Sequence, residues 1–546
     1  MENNSRKEES KKLEEGLSAS RKNSSLYLII TSLIFIFANI GAITPLTGIP
    51  VFFYNHKYLC KNAITNKFDI RCSQRYICDN NKKFGIDYII NENRDANLQS
   101  FISSYNLKCS RIRKTILGYS FFFGQLIGTI IYPYLISYYG IINTLFLNYF
   151  TIFISYLFML KFNYYFIVII FYNVSSLAFQ IIMLGFKQYI VEMSEASTRP
   201  IYLLFNLLAQ IFSGFLVVLI SYMSHDYKYI FISASLICVV GAILLKLFVV
   251  ESIRILFIQE KGDELIKNLE YISKINNSQQ YFEEWKNNNK NIFPNNTNSN
   301  NEKLKPLIDK DKSEIDNIDN INLDKINYLT ILNYPSQIKL IILFSFATFY
   351  VNYCLVLAQF QFTKQNKFFI SLLIGYSCDM IGYIFGIGIT EIKNYTRNSC
   401  FLMITILLCI VFFIQSLLYS SHNQFIFIFF RFFINSLDAN FNLYNFESFP
   451  TLTRSTGVAI NRIFGKFFNI WTPLIIINYT RYGYICGLLF GSILFLLSYF
   501  LGPKETKDHK INEFPIEIIN ENEKRKAKEL SNQNEINDEE EFLLKA

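Results

Sequence analysis

The chain has 546 residues, of which 51% are hydrophobic, 17% aromatic and 17% charged, with a formal net charge of +9. The hydrophobic residues form runs of about 20, the length that an α-helix needs to cross a bilayer, so a soluble fold is excluded. The charged residues concentrate in the two tails, one outer loop and a central segment, a distribution that does not indicate nucleic-acid binding.

The N-terminal tail, residues 1–25, is polar and charged. It lacks the short apolar region and cleavage site of a secretory signal, so we expect it to remain in the cytosol. Six apolar runs follow and predict a six-helix bundle over residues 26–254. The runs cover residues 26–54, 115–136, 141–160, 164–183, 201–223 and 229–250.

A long outer loop, residues 55–114, separates the first two predicted helices. It contains four cysteines, Cys60, Cys72, Cys78 and Cys109. An even number of cysteines in one exposed loop predicts two disulfides in an oxidising compartment, with three possible pairings. A zinc site is the alternative, but the spacing of Cys72 and Cys78 fits a zinc motif poorly. An outer disulfide loop favours the plasma membrane over an internal membrane.

A polar segment, residues 255–337, follows the sixth helix. It contains an amphipathic stretch at 264–275 and then an Asn-rich, charged tract at 287–322, which buries too little apolar surface to fold. We therefore expect a cytosolic linker that is partly disordered. The Lys and Arg residues of the N-terminal tail agree with a cytosolic location for both tails, as the positive-inside rule prefers.

Six more apolar runs predict a second six-helix bundle over residues 338–501, followed by a cytosolic tail at 502–546. The runs cover residues 338–358, 368–389, 401–419, 425–444, 457–477 and 484–501. The predicted fold class is therefore an all-α membrane protein with twelve transmembrane helices.

The ends of the fourth and tenth predicted helices resemble each other. One reads EMSEASTR from Glu192 to Arg199 and the other ESFPTLTR from Glu447 to Arg454, with Glu, Thr and Arg equally spaced. This match supports two parallel six-helix repeats, with a substrate site between them. We expect the four charged residues to form salt bridges between the halves that close the cytosolic side. Ordinary surface charges at helix ends are the alternative.

Four segments carry a resemblance to a known family. They are residues 98–114 with the sequence NLKC ending at Cys109, ESIR at 251–254, NFESFPTLTR at 445–454 followed by TGV, and PKETK at 503–507. In these segments the chain resembles the major facilitator superfamily, and within it the organic cation and organic anion transporter branch. ESIR and the ETK of the last segment also resemble the sugar porter branch, more distantly. The resemblance spans most of residues 26–507 and implies transport by alternating access.

The chain departs from the superfamily pattern between helices two and three. The superfamily usually carries Asp and Arg there, whereas residues 134–142 have no charged residue. The equivalent loop between helices eight and nine keeps Glu391 and Lys393 in irregular form. Since such charges stabilise one conformation of the transport cycle in that family, a non-transporting membrane sensor or scaffold is an alternative.

Ionisable side chains inside the predicted helices are candidates for the substrate site, because each costs at least about 2.5 kcal/mol in a bilayer. These residues are Asp379 in helix eight, Asp438 in helix ten, and Arg462 and Lys466 in helix eleven. Lys466 lies about 14 Å along the predicted helix, near the midplane. By resemblance this position is acidic in many cation transporters and basic in many anion transporters, which favours an anionic substrate.

Alternatives remain for each of these candidates. Lys466 could instead pair with Asp438 or Asp379 and hold the bundle together, and Arg462 could extend towards the interface. The two aspartates are candidates for binding a proton or a cationic substrate, or for structural roles. Asn352 and Tyr353 in helix seven are predicted polar groups of the cavity.

The sequence contains no phosphate-binding loop, no HExxH motif and no nucleophile arrangement with one of the four histidines. We therefore expect no ATP-driven pumping, no enzymatic activity, no cofactor and no metal. The predicted function is secondary or facilitative transport of a small organic solute, with or without a coupled ion. Organic anions are the first substrate class, and organic cations or sugars are the alternatives.

Overall fold

The protein is described by a computed structural model. The residues that it describes are 13, 15–54, 58–61, 68–72, 77–78, 88–90, 98–162, 164–195, 198–259, 261–289, 335–362, 368–392, 395–418, 424–449, 451–472 and 480–503. Most of the tract at 287–322 and of the two tails therefore lies outside the described residues.

In the described part of the chain, twelve long helices form the body of the molecule. The first half contains α1 (Leu26–Thr47), α4 (Arg111–Tyr139), α5 (Ile141–Lys161), α6 (Tyr165–Met193), α7 (Arg199–Ser224) and α8 (Tyr227–Phe248). The second half contains α12 (Pro335–Phe362), α13 (Phe368–Glu391), α14 (Arg397–Leu417), α15 (Gln424–Ser448), α16 (Thr451–Asn469) and α17 (Thr480–Leu501). Short helices α2 (Ile49–Phe52) and α3 (Phe101–Ser104) flank the outer loop.

Ten of these helices are long and apolar enough to cross a membrane. The other two long helices, α15 and α16, carry more polar residues and occupy the tenth and eleventh positions. Both direct buried polar side chains into the bundle, among them Asn440 and Asn461. The all-α membrane fold predicted from the sequence is confirmed.

The two halves repeat the same packing. In the first half α1 packs on α7, α4 on α6, and α5 on α8; in the second half α12 packs on α16, α13 on α15, and α14 on α17. The halves meet where α4 contacts α16 and where α7 contacts α13. This arrangement is that of two parallel six-helix repeats.

Glycines four residues apart allow close approach at equivalent places in the two halves. A Cβ atom on Gly124 would lie 2.2 Å from the carbonyl oxygen of Asn173, so α4 and α6 touch through their backbones. Gly382 has the same role in the second half, where a Cβ atom would lie 2.5 Å from the carbonyl oxygen of Phe432 in α15. Small residues at such contacts are typical of membrane helix pairs.

The two ends of the bundle carry different structures. At one end, here called the outer-loop end, the loop after α2 forms a small antiparallel sheet of β1 (Tyr58–Lys61), β2 (Phe68–Cys72) and β3 (Tyr88–Ile90), in the order β2-β1-β3. At the other, the linker end, α8 is followed by α9 (Ile253–Ile258), α10 (Gly262–Ile275) and α11 (Gln279–Asn288). The sequence analysis did not predict the sheet.

Two helix boundaries differ from the predicted runs in ways that affect the site. Helix α6 continues ten residues beyond the run that ended at residue 183, and so includes Lys187. Helix α16 begins at Thr451 instead of residue 457, which places Lys466 about 22 Å from the start of that helix. The hydropathy pattern did not locate these ends because polar residues are buried between the halves there.

Candidate functional site

Lys466 lies at mid-height in the interface between the halves. Its Nζ atom donates to Oε1 of Gln125 at 2.5 Å and to Oδ1 of Asn352 at 2.8 Å. Gln125 is the central residue of the 29-residue helix α4, which fixes the height of the contact in the bundle. The lysine therefore joins α16 to α4 of the opposite half through a neutral amide oxygen.

Two further cations, Lys187 and Arg462, lie about one helical turn closer to the linker end than Lys466 does. Lys187 Nζ, from α6, donates to Oδ1 of Asn442 at 2.7 Å, and Arg462 Nη2 donates to the same oxygen at 2.9 Å. The Nε atom of Arg462 is buried without a hydrogen-bond partner in the described part of the chain. Two cations from opposite halves thus share one neutral acceptor.

Asp438 is the carboxylate that acts electrostatically on all three cations. Its Oδ1 accepts from Asn442 at 2.9 Å and its Oδ2 from the Tyr383 hydroxyl at 3.4 Å. Among the described residues, no ion pair within 4.0 Å joins it to a cation. We call Lys187, Arg462, Lys466, Asp438 and Asn442 the central cluster.

The central cluster is a strongly electropositive site. Lys187, Arg462 and Lys466 are 6%, 8% and 5% exposed, and with all four groups ionised the cluster carries three positive charges against one negative. Burying uncompensated charge is costly in a low-dielectric interior. An anion entering from water would gain three donors here and would relieve the repulsion among the cations.

Asp379 lies in a different group, outside the central cluster. Its Oδ1 accepts from Arg431 Nε at 2.8 Å and from Asn435 Nδ2 at 2.7 Å, and its Oδ2 forms an ion pair with Arg431. The aspartate is therefore fully satisfied between α13 and α15. Neither Asp379 nor Asp438 forms an ion pair with Lys466, the arrangement that the sequence left open as an alternative.

The two predicted polar groups of α12 have different surroundings. Asn352 is half-buried and accepts from Lys466, so it belongs to the wall of the cluster. Tyr353 is fully buried, and its hydroxyl donates to the carbonyl oxygen of Gly483 at 2.6 Å. That contact joins α12 to α17 within one half.

Four charged residues of the repeated motif, Glu192, Arg199, Glu447 and Arg454, pair with the opposite half. Arg199 Nη1 lies 3.1 Å from Glu447 Oε1, and Arg454 Nη1 lies 3.9 Å from Glu192 Oε1. Arg397 adds a second contact to Glu447, at 3.3 Å. All of these side chains are almost completely buried, so the linker end is closed by crossed ion pairs.

The outer-loop end is closed as well. The Tyr376 hydroxyl, from α13, donates to the carbonyl oxygen of Thr47 in α1 at 2.8 Å. The rings of Tyr54 and Phe368 lie 4.6 Å apart, again across the two halves. The central cluster is therefore shut off from both ends, which is an occluded arrangement.

Three cysteines of the outer loop, Cys60, Cys78 and Cys109, form disulfides. Cys78 is bonded to Cys109, which ties the loop to the segment just before α4. Cys60 is disulfide-bonded too. The side chain of Cys72 lies outside the described residues. The other six cysteines, which are in or near the helices, form no disulfide in the described part of the chain.

Four residues of these contacts were not predicted from the sequence: Lys187, Gln125, Arg431 and Arg397. Lys187 was missed because the apolar run of helix four was ended too early. Arg431 lies within the run 425–444, so the rule that selected Asp438 would also have found it. Gln125 is uncharged, and only its hydrogen bond with Lys466 of the opposite half identifies it as a residue of the site.

Comparison with known proteins identifies the fold. A family model described as Major Facilitator Superfamily matches residues 97–473. The structure of the proton:xylose symporter XylE bound to 6-bromo-6-deoxy-D-glucose has a TM-score of 0.61 at 15% identity, covering 90% of this chain and 98% of that one. No curated protein gives a significant sequence match.

Two further structures of the xylose transporter XylE from E. coli are similar to the chain. The partially occluded inward-open structure has a TM-score of 0.56 at 14% identity and covers 88% of this chain and 98% of that one. The inward-open structure has a TM-score of 0.52 at 15% identity and covers 88% and 96%. At such identities the similarity is one of fold.

Proposed function

Because the chain belongs to the major facilitator superfamily, we propose that it is a carrier of small organic anions. Membership and fold support membrane transport by alternating access in an integral, multi-pass protein. The substrate class is our proposal, and it rests on the chemistry of the central cluster.

The excess of positive charge between the halves is the observation that carries the proposal. Lys187, Arg462 and Lys466 are buried, and their hydrogen-bond acceptors are mainly neutral amide oxygens. A carboxylate or sulfonate would accept stronger, charge-assisted hydrogen bonds from the same donors. The amides of Gln125, Asn352 and Asn442 therefore hold the cations in place without neutralising them.

The crossed ion pairs at the linker end support a gating role. Glu192 with Arg454 and Arg199 with Glu447 would hold the closed side and separate when the halves rock apart. In this proposal the linker end faces the cytosol, together with both tails. The disulfide at the outer-loop end, Cys78 with Cys109, then faces an oxidising space, which supports the plasma membrane.

A sugar is the second candidate substrate, because XylE is a proton:xylose symporter. Neutral sugars are bound through hydrogen bonds and do not require a surplus of buried cations, so the central cluster favours the organic anion branch. An organic cation would be repelled by the same cluster unless Asp438 or Asp379 bound it. A sensor or scaffold would bind a solute without moving it.

The experiment that tests the proposal is uptake by purified protein in proteoliposomes. The panel contains labelled organic anions, organic cations and sugars, with protein-free liposomes as the control and a pH gradient present or absent. We expect saturable uptake of anions that other anions inhibit. Uptake of cations or sugars alone would overturn the proposal, and binding without uptake by folded protein would favour the sensor.

A further inference from the structure

Arg21, in the segment just before α1, is buried without a hydrogen-bond partner. Its side chain is 8% exposed, and none of its three guanidinium nitrogens has a partner in the described part of the chain. An arginine presents five donors in a planar fork and keeps its charge at neutral pH. A buried guanidinium with no acceptor is rare in proteins and calls for an explanation.

Hydrogen bonds fix the backbone around Arg21, so the burial of its side chain is a feature of an ordered segment. Asn276, at the end of α10, donates to the carbonyl oxygen of Ser20 at 3.0 Å and accepts from the N–H of Tyr27 at 2.9 Å. Ser278 also donates to the Ser20 carbonyl, at 2.6 Å. Earlier in the segment, Gly16 packs directly against Trp285 of α11. We call residues 15–27 the N-terminal clasp.

The charged neighbours of Arg21 do not neutralise it. Arg254, which is also buried, adds a second positive charge, and Glu195 is exposed and forms no ion pair with Arg21 within 4.0 Å. Burial is the main cause that lowers the pKa of Arg21, to about 10. At neutral pH the group is therefore still charged when folded, and its burial opposes stability.

The other buried carboxylates at the linker end are already engaged. Glu251 accepts from the backbone N–H groups of Ile141 and Ile142 at 2.9 and 3.0 Å, where it caps the start of α5. Glu192 accepts from Gln188 at 2.7 Å and pairs with Arg454. Neither carboxylate pairs with Arg21.

We propose that Arg21, beside Arg254, binds a dianionic phosphate group at the linker end of the protein. A phosphate oxygen pair matches the guanidinium fork, and its double charge suits two neighbouring arginines. The group is either a soluble phosphate or the headgroup of a lipid such as phosphatidic acid. This site is separate from the central cluster and does not depend on which solute is carried.

Binding at Arg21 would stabilise the closed linker end. The hydroxyls of Tyr27 and Tyr189 lie 2.8 Å apart, and both contact Val250 at the end of α8: its N–H donates to Tyr27 and its carbonyl accepts from Tyr189. Both tyrosines act electrostatically on Arg21. A phosphate here would therefore hold the clasp, α6 and the start of the linker together.

The test is thermal unfolding of the full chain in nanodiscs of phosphatidylcholine, a phosphodiester lipid. One arm adds inorganic phosphate at constant ionic strength, and the other replaces part of the lipid with phosphatidic acid. We compare native protein with Arg21→Met and, as a matched control, with Lys22→Met, which removes an exposed charge from the same segment. Phosphate is a stabilising salt in general, so the difference between variants is the readout.

We expect a saturable rise in melting temperature for the native protein and Lys22→Met in at least one arm. Arg21→Met should start from a higher melting temperature, because a buried unpaired charge is removed, and should lose the saturable rise. A response in the lipid arm alone identifies a headgroup, and one in the soluble arm a free phosphate. No response in either arm, or an equal response in Arg21→Met, overturns the proposal. Trp285 fluorescence gives a second readout at the clasp.

Discussion

Lys187, Arg462 and Lys466 are buried basic side chains whose hydrogen-bond acceptors are amide oxygens. Each side chain donates to at least one such oxygen, so part of its hydrogen-bonding capacity is satisfied without an ion pair within 4.0 Å among the described residues. A carboxylate in the same place would have formed a stable internal ion pair that competes with any anionic ligand. The residue types around the cluster are therefore those expected of a site that is filled by a charged solute.

The first prediction concerns Lys187, which is the only one of the three cations contributed by the first half. Lys187→Gln keeps a hydrogen-bond donor but removes the charge, so we expect anion uptake (kcat/KM) to fall at least about tenfold, equivalent to about 1.4 kcal/mol. Lys161→Gln, at the exposed end of α5, is the control and should leave uptake unchanged. Equal uptake by native protein and Lys187→Gln would remove Lys187 from the site.

The second prediction separates Asp379 from the central cluster. Asp379→Asn leaves Arg431 buried without its counterion, which should destabilise the fold by about 3–5 kcal/mol. Adding Arg431→Met should recover much of that loss, because both charges are then gone. The measurement is thermal unfolding of both variants. If Asp379→Asn abolishes uptake at native stability instead, the aspartate acts on the substrate or on a coupled ion.

At the scale of single residues, the sequence identified Lys466 and Arg462 because a charged residue within an apolar run is conspicuous. It did not identify their partners. Gln125 and Asn352 are ordinary polar residues until the two halves are brought together, and no local pattern predicts a contact between residues 125 and 466. The partner of Asp379 was available to the same reasoning but was missed.

At the scale of the elements, the turn between α4 and α5 requires a glycine, because of its backbone conformation and a neighbouring carboxylate. Gly140 has a φ of +80°, and a Cβ atom there would lie 2.5 Å from Oε2 of Glu251. Glu251 is partly buried against the start of α5, and its loss of solvent contact raises its pKa above the usual value for a glutamate. This turn is the place where the sequence lacks the charges usual in the superfamily, and a carboxylate from beyond α8 holds it instead.

The third prediction is that Gly140→Ala destabilises the protein. An alanine at positive φ costs about 1–2 kcal/mol, and its Cβ would also displace Glu251 from the N–H groups of Ile141 and Ile142. Gly388→Ala is the control, since a Cβ atom there would meet nothing within 4 Å in α13. Thermal unfolding should show a loss for Gly140→Ala and no loss for Gly388→Ala. Equal melting temperatures would contradict this account of the turn.

The sequence predicted helix boundaries well where the thickness of the bilayer sets the helix length. It predicted them less well where packing against other helices sets it. The run 141–160 differs by one residue from α5, which spans Ile141–Lys161. The start of α16 was placed six residues too late, because its first turns contain buried polar residues, Thr453, Arg454 and Thr456, that interrupt the apolar run. The β-sheet of the outer loop was missed because its strands are only three to five residues long.

For the whole molecule, the structure is closed at both ends, with the linker end held by ion pairs. This conformation could not be predicted from the sequence, because the same residues must also support open states. The repeated motif did predict that the four charges would belong together. It also predicted salt bridges between the halves, and in the structure each glutamate pairs with the arginine of the other half. That these pairs act as a gate stays a prediction.

The fourth prediction tests these ion pairs as a gate. Glu447→Gln weakens its contacts with Arg199 and Arg397, so the linker end should open more often. Spin labels on cysteines introduced at Glu195 and Ile392 report the distance between halves, in a chain whose six helix cysteines are replaced by serine. We expect a larger population of long distances in Glu447→Gln.

The control is Glu391→Gln, which removes the exposed partner of the same Arg397. It should keep the native distance distribution, since exposed ion pairs contribute little. If Glu447→Gln and Glu391→Gln give the same distances as the native protein, the crossed pairs do not hold the gate closed.

The central claim is that the buried positive charge selects anions, and reversing it at Lys466 tests this most directly. Uptake of the same panel of organic anions, cations and sugars is measured in proteoliposomes for native protein, Lys466→Gln and Lys466→Glu. The account predicts anion uptake by the native protein, weaker uptake by Lys466→Gln, and loss of anion uptake with a gain for cations in Lys466→Glu. Anion uptake that is unchanged in correctly folded Lys466→Glu would contradict it.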